Sequence, residues 1–275
     1  MAKTFLITGV SSGFGRALAE AALSDGHTVA GTVRNDADRQ KFEALGRGAH
    51  ALVLDVTDTQ AIAPAVADVE NRIGAIDVLV NNAGYGHEGI LEESSIDDLR
   101  RQFEVNVFGA VAMIQAVLPF MRKRHAGHIL NITSMGGIIT LPGLSYYHGS
   151  KFALEGISES LGKEVSDLGI KVTAIEPGGF RTDWAGRSMV RAARSIADYD
   201  AVIEPIRKRR AELSGRQIGD PQKAAQAMLK VALSVNPPAH LLLGSDAVRL
   251  VEEKMKSLQA EFDAFRSVSL STDVA

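Results

Sequence analysis

Apolar residues along this chain fall into short runs that recur at the spacing of alternating strands and helices. Residues 3–8, 27–33, 49–54, 76–80, 127–133, 170–175 and 240–243 read as strands. Segments 14–25, 59–73, 95–124 and 148–168 instead carry apolar positions at helical period. Val78-Leu79-Val80 and Val172-Thr173-Ala174-Ile175 are nearly unbroken in apolar residues, the pattern of strands covered on both faces. The pattern predicts one α/β domain over residues 1–275, a parallel sheet with helices on both sides.

Two stretches read differently. Residues 181–217 offer no clear strand, carry many arginines and hold the lone tryptophan, Trp184. A long segment of that kind inside a compact domain is usually functional or mobile, so it is read as a lid. Residues 246–265 predict a C-terminal helix whose stripe, Val248, Val251, Met255, Leu258, Phe262 and Phe265, should pack on the domain or on a second subunit. Beyond it, Ser267 to Ala275 reads as frayed.

Composition narrows the field. A hydrophobic content of 45% supports a full core, and a net charge of −3 gives no basis for nucleic acid or an anionic membrane as partner. Cysteine is absent, which excludes disulfides, thiolate metal sites and cysteine nucleophiles. The first strand begins too close to Met1 for a signal peptide, and no apolar run approaches the ~20 residues of a membrane span, so a cytoplasmic location is expected. The seven histidines form no H-x-x-x-H pair, and no catalytic metal is expected. The run Arg207-Lys208-Arg209-Arg210 reads as a solvated helix face rather than an anion site.

Two local patterns carry chemistry. Strand Thr4–Thr8 is followed by Gly9-Val10-Ser11-Ser12-Gly13-Phe14-Gly15 and then by a helix. Glycines permit close backbone approach, and the free N–H groups of a helix N-terminus attract a pyrophosphate, although glycine pairs also mark ordinary tight turns. In Tyr146-Tyr147-His148-Gly149-Ser150-Lys151, a phenol and an ammonium stand at i and i+4, on one face if the stretch is helical. A nearby lysine charge favours the phenolate and pulls a pKa of ordinarily ~10 toward the working range. Only Tyr147, not Tyr146, has the lysine at that spacing.

With these motifs the chain resembles the short-chain dehydrogenase/reductase family, over about its first two-thirds. The family's T-G-x-x-x-G-x-G appears as Thr8 to Gly15, its N-N-A-G as Asn81-Asn82-Ala83-Gly84, and its helix asparagine as Asn106. Its strand-end serine is Ser134, its Y-x-x-x-K is Tyr147 and Lys151, and its P-G-x-x-x-T runs from Pro177 to Thr182. The resemblance implies a seven-stranded doubly wound sheet of Rossmann type with a dinucleotide across the carboxyl ends of the strands. It also implies a homodimer or homotetramer.

By the same resemblance Gly9, Ser11, Ser12, Gly13, Phe14 and Gly15 would cradle the pyrophosphate. Asp55 would accept from the adenine amino group, beside a backbone contact from Val56; as a bare residue Asp55 could equally cap a helix. Asn82, Ala83 and Gly84 would approach the adenosine ribose, or form a simple turn. Pro177, Gly178, Phe180 and Thr182 would carry the nicotinamide end. Arg34 follows the second strand, where an arginine suits a 2′-phosphate and an acid a free 2′-hydroxyl, so NADP(H) is favoured over NAD(H). Ser12 stands where many NADP-using relatives carry a second basic residue.

In the implied reaction, hydride passes between the nicotinamide and the carbon of a ketone or secondary alcohol. Tyr147 is the general acid/base, Lys151 lowers its pKa and holds the ribose, and Ser134 stabilises the substrate oxygen. Asn106 holds a relay water, or simply makes structural hydrogen bonds. Met135, Ile138, Leu141, Leu144, Trp184 and Met189 suit a bulky hydrophobic substrate, as in bacterial relatives of hydroxysteroid and retinol dehydrogenases. A catalytically silent dinucleotide-sensing protein is the alternative; an epimerase or dehydratase would need further acids.

Overall fold

The computed structural model describes residues 1–274. In chain order its first half runs β1 (Thr4–Ile7), α1 (Gly13–Ser24), β2 (Thr28–Val33), α2 (Asp36–Glu43), β3 (Ala49–Val53), α3 (Thr59–Arg72), β4 (Val78–Asn81) and β5 (Gly86–Glu88). The middle holds α4 (Ile96–Phe103), α5 (Gly109–Arg124), β6 (Gly127–Ile132), α6 (Ser145–Val165) and β7 (Ile170–Pro177). The last third adds β8 (Met189–Arg191), α7 (Asp200–Leu213), α8 (Pro221–Ala232), β9 (His240–Leu243), α9 (Ser245–Ala264) and α10 (Arg266–Leu270).

Seven strands form one parallel sheet in the order β3-β2-β1-β4-β6-β7-β9. The chain leaves β1 toward one edge, then returns to β1's other side at β4. That reversal opens a crevice at the carboxyl ends of the strands. Alternation along β1 separates two cores. Phe5 and Ile7 pack with Leu18 of α1 and Met228 of α8, whereas Leu6 between them packs with Ile62, Met113 and Val117 of α3 and α5. Each such side chain, fully buried, contributes about 1.5–3 kcal/mol.

The seven expected strands are all present, with ends moved by a residue or two, but three expectations are corrected. Residues 95–124 are not one α-helix: a π-turn, Glu104–Phe108, separates α4 from α5. The stretch from Ile96 to Arg124 is long and apolar enough for a membrane span by composition alone, yet Met113, Ile114, Val117 and Met121 are core residues. Residues 181–217 do contain a strand, β8, which pairs in parallel with β5, and a helix, α7. A three-residue strand is too short to display alternation, and α7 buries only Ile203, so neither left a periodic signal.

At the C-terminus Val251 is buried, but Val248, Met255, Phe262 and Phe265 are exposed, so most of the predicted stripe does not pack on its own domain. Ser267 to Leu270 continue as α10 rather than fraying.

Candidate active site

A single cavity of about 1090 Å³ runs along the carboxyl ends of the strands. At one end lies the glycine loop between β1 and α1. Gly9 and Gly13 adopt φ of 74° and 60°, in the left-handed region that favours glycine. A Cβ on residue 15 would stand 2.4 Å from the Gly9 carbonyl oxygen, so only glycine fits there. Ser12 precedes α1 without making a capping hydrogen bond, which leaves the first-turn N–H groups free of side-chain acceptors. Such a cradle suits a bound pyrophosphate.

The loop is held by neighbours. Asn82 Nδ2 donates to the Thr8 and Gly9 carbonyls at 2.8 and 3.0 Å, and Thr8 Oγ1 accepts from the N–H groups of Asn82 and Ala83, each at 2.9 Å. The Asn82 side chain is therefore spent on backbone. Thr8 was not singled out from the sequence as a site residue, although it starts the glycine motif.

Arg34 is exposed at the cavity wall and makes no ion pair or hydrogen bond among the described residues. Asp55 accepts from the Thr57 N–H and hydroxyl at 2.9 and 2.8 Å, while Asp58 caps α3, so Asp55 is not the helix cap. Val56, Ala83, Gly84, Pro177, Gly178, Phe180 and Thr182 line the same cavity. Gly15 and Asn106 stand behind its wall.

Asn106 sits in the π-turn with its amide fully engaged. Its Oδ1 accepts from the Tyr85 N–H at 3.1 Å, and its Nδ2 donates to the Tyr85 carbonyl and to Ser150 Oγ, both at 3.1 Å. Its side-chain hydrogen-bonding atoms tie α4–α5 to α6 and to the turn after Gly84.

Tyr147 and Lys151 stand one turn apart in α6, which starts at Ser145, three residues before the expected boundary. Tyr147 lines the cavity; its ring packs on Trp184 at 5.1 Å between centroids. Tyr146 points elsewhere, stacking on His87 and donating to the Ser94 carbonyl at 2.9 Å. Burial pushes the Tyr147 phenol up to about 12, opposed only by the Ser134 hydroxyl. Burial also pulls the Lys151 ammonium down to about 8, with Glu155 acting against it.

Lys151 is held back from the phenol. Its Nζ donates to the Ile132 carbonyl at 2.8 Å and lies 5.8 Å from the Tyr147 ring centroid. Desolvation therefore outweighs it.

Ser134 lies two residues beyond β6 and accepts from the Gly136 N–H at 2.9 Å, which orients its hydroxyl beside the phenol. His148, next to Tyr147, reinforces this loop. Its Nδ1 meets the Gly136 carbonyl at 2.8 Å, and its Nε2 meets the Leu141 N–H at 2.9 Å. Only a neutral ring protonated at Nδ1 satisfies both, and burial lowers its pKa accordingly. Asp246, at the start of α9, braces the opposite wall by accepting from the Gly179 N–H at 2.7 Å. Neither residue was singled out; an acid in a helix's first turn was the only sign of Asp246.

The segment 181–217 is anchored by charge. Glu88, 1% exposed, accepts from Arg210 Nη1 at 2.7 Å and Arg191 Nε at 3.0 Å. Glu93 accepts from the N–H groups of Ser195 and Ile196, and Arg207 lies 3.9 Å from it. Arg207 and Arg210 thus face inward, against the expectation of a fully solvated face; Lys208 and Arg209 are exposed. Ile138 and Met189, expected at the substrate wall, do not line the cavity; Met189 packs beneath Trp184 and Tyr147. Glu88→Gln is expected to speed hydrogen exchange across 189–213 roughly tenfold or more, as loss of charged hydrogen bonds of about 1.5–3 kcal/mol implies. The central strands should exchange unchanged.

A family model described as short chain dehydrogenase matches residues 3–191. An oxidoreductase of Botryotinia fuckeliana is 39% identical over 99% of this chain and 100% of its own. A 3-ketodihydrosphingosine reductase of Bacteroides thetaiotaomicron is 37% identical over 92% of this chain and 91% of its own. An NADPH-dependent 3-dehydrocapnine reductase of Ornithobacterium rhinotracheale is 35% identical over 80% of each. Among solved structures, a short-chain dehydrogenase from Streptomyces avermitilis superimposes with a TM-score of 0.92 at 42% identity, covering 99% of this chain and 98% of that one. A serine dehydrogenase complexed with NADP+ gives a TM-score of 0.75 at 26% identity, covering 87% and 94%.

The chain belongs to the short-chain dehydrogenase/reductase family. It is an oxidoreductase that uses a nicotinamide dinucleotide on a small-molecule substrate.

Proposed function

We propose that the protein is an NADP(H)-dependent carbonyl reductase, reversibly an alcohol dehydrogenase, acting on a bulky hydrophobic ketone or secondary alcohol. The observation that carries this reading is the buried phenol of Tyr147 on the cavity wall, with the Ser134 hydroxyl beside it and Lys151 one turn along. The glycine loop and the unpaired Arg34 would hold the pyrophosphate and 2′-phosphate, and the relatives named with NADPH or NADP+ support that preference. Asp55, Val56, Asn82, Ala83 and Gly84 would border the adenosine, and Pro177 to Thr182 the nicotinamide end.

When bound, NADPH would supply the hydride. Ser134 donates a hydrogen bond to the substrate oxygen as negative charge grows there, and Tyr147 gives that oxygen its proton. Lys151 keeps two of its three N–H donors for the ribose, and its charge stabilises the phenolate left behind. Asn106 acts as a positioning residue through Tyr85 and Ser150. Met135, Leu141, Leu144, Trp184 and Leu213 make the substrate end apolar, and residues 181–217 close over it as a lid. The two relatives named as reductases of 3-ketodihydrosphingosine and 3-dehydrocapnine support a ketone substrate. A homodimer or homotetramer would cover the apolar residues left open on α9, and a cytoplasmic location fits the cysteine-free composition.

A panel of ketones and secondary alcohols, followed with each cofactor through the absorbance of the reduced nicotinamide, tests the reading. Activity with NADH but none with NADPH would overturn the cofactor assignment. The pH profile adds a signed expectation. Tyr147, at about 12, stays a proton donor across the accessible range, whereas Lys151 loses its charge above about 8. The kcat/KM for reduction should be level below that pH and fall above it. A rise in reduction through the same range would exclude the role given to Lys151.

A further inference from the structure

Behind Lys151, on the side away from the cavity, three side chains converge from three elements. Glu155 follows Lys151 by one turn of α6, Glu176 lies on β7 and His240 on the edge strand β9. The parallel register pairs Ala174 with His240, which puts Glu176 and His240 on one face of the sheet, opposite α6. One donor atom from each of the three lies within 4.8 Å of the others. His240 Nδ1 stands 2.7 Å from Glu176 Oε1 and 3.7 Å from Glu155 Oε2.

The two glutamates are buried yet under-satisfied. Glu155 is 5% exposed and Glu176 0%. Neither oxygen of Glu155 has a hydrogen-bond partner, and Oε2 of Glu176 has none. Thr133 is close to Glu155, but its hydroxyl proton is committed to the Ile175 carbonyl at 2.8 Å. Buried carboxylates without partners are costly, and pairs of them commonly coordinate a cation.

We infer that Glu155, Glu176 and His240 form a binding site for a divalent transition-metal ion, distinct from the dinucleotide cavity. Two carboxylates and one imidazole suit Zn²⁺ or Mn²⁺, and three protein ligands leave room for water. The Nδ1 lone pair becomes a ligand when the ring proton moves to Nε2. That nitrogen already faces Glu159 Oε1 at 3.8 Å, the carboxylate–histidine–metal arrangement that fixes a ligating imidazole. The His240 side chain is 43% exposed and opens the site to solvent. A bound ion would tie β9 to α6 and take the place of the His240 proton between the two glutamates.

The test uses untagged, chelator-treated full-length protein, titrated separately with Zn²⁺ and Mn²⁺ by calorimetry and thermal melting. The expected result is one saturable site per chain for at least one of the two ions, with a midpoint that rises on loading. His240→Ala, at a partly exposed edge position, should keep the fold and lose at least tenfold in affinity; Glu155→Gln should do the same. His50→Ala, outside the cluster, should bind as the parent does. Absence of saturable binding of either ion, or equal binding by His240→Ala, would overturn the assignment.

Discussion

Tyr147→Phe is expected to lower turnover by roughly 10²–10⁴-fold, the usual worth of a general acid, while folding and cofactor affinity stay near normal. The substitution removes one oxygen and keeps the ring that packs on Leu144, Met189 and Trp184. The phenol's hydroxyl has only the Ser134 hydroxyl beside it, so its loss leaves no buried backbone group unpaired. Steady-state kinetics with an active ketone, read beside the NADP+ dissociation constant and melting temperature, separate chemistry from stability. Tyr146→Phe is the control: its hydroxyl serves the Ser94 carbonyl outside the cavity, and rates should change little. Near-normal turnover in Tyr147→Phe would remove Tyr147 from the mechanism.

Arg34→Asp should weaken NADPH binding by one to two orders of magnitude, matching about 1.5–3 kcal/mol for a charged hydrogen bond. The native guanidinium is exposed at the cavity wall with no protein partner among the described residues, so the change costs the fold little. An aspartate there repels a 2′-phosphate and can accept from a free 2′-hydroxyl, so NADH should gain relative to NADPH. Equal loss for both dinucleotides would mean Arg34 serves the adenosine generally and does not set the preference.

Features that depend on near neighbours in the chain could be read in advance. The glycine motif sits between β1 and α1, adjacent in the chain, and the Tyr147–Lys151 pair needs only a helix. The central strands are apolar on both faces, so their runs stand out whatever surrounds them. Long-range features were silent. Glu88 meets Arg191 and Arg210 across more than a hundred residues, and β5 and β8 are too short to be periodic. The π-turn at Asn106 answers to Tyr85 and Ser150, not to its own helix. Spacing reports the charge that neighbours Tyr147, but not the burial that raises its pKa.

Hydride transfer itself can be followed with NADPH deuterated at the transferred position. Incubated with the enzyme and an amphiphilic long-chain ketone, the labelled cofactor should be oxidised and its deuterium recovered on the carbinol carbon of the product. Incorporation should be one deuterium per cofactor consumed, and Tyr147→Phe should slow it with binding intact. Tight NADPH binding with no label transferred to any ketone in a broad panel would contradict the account, and would identify a dinucleotide-sensing protein instead.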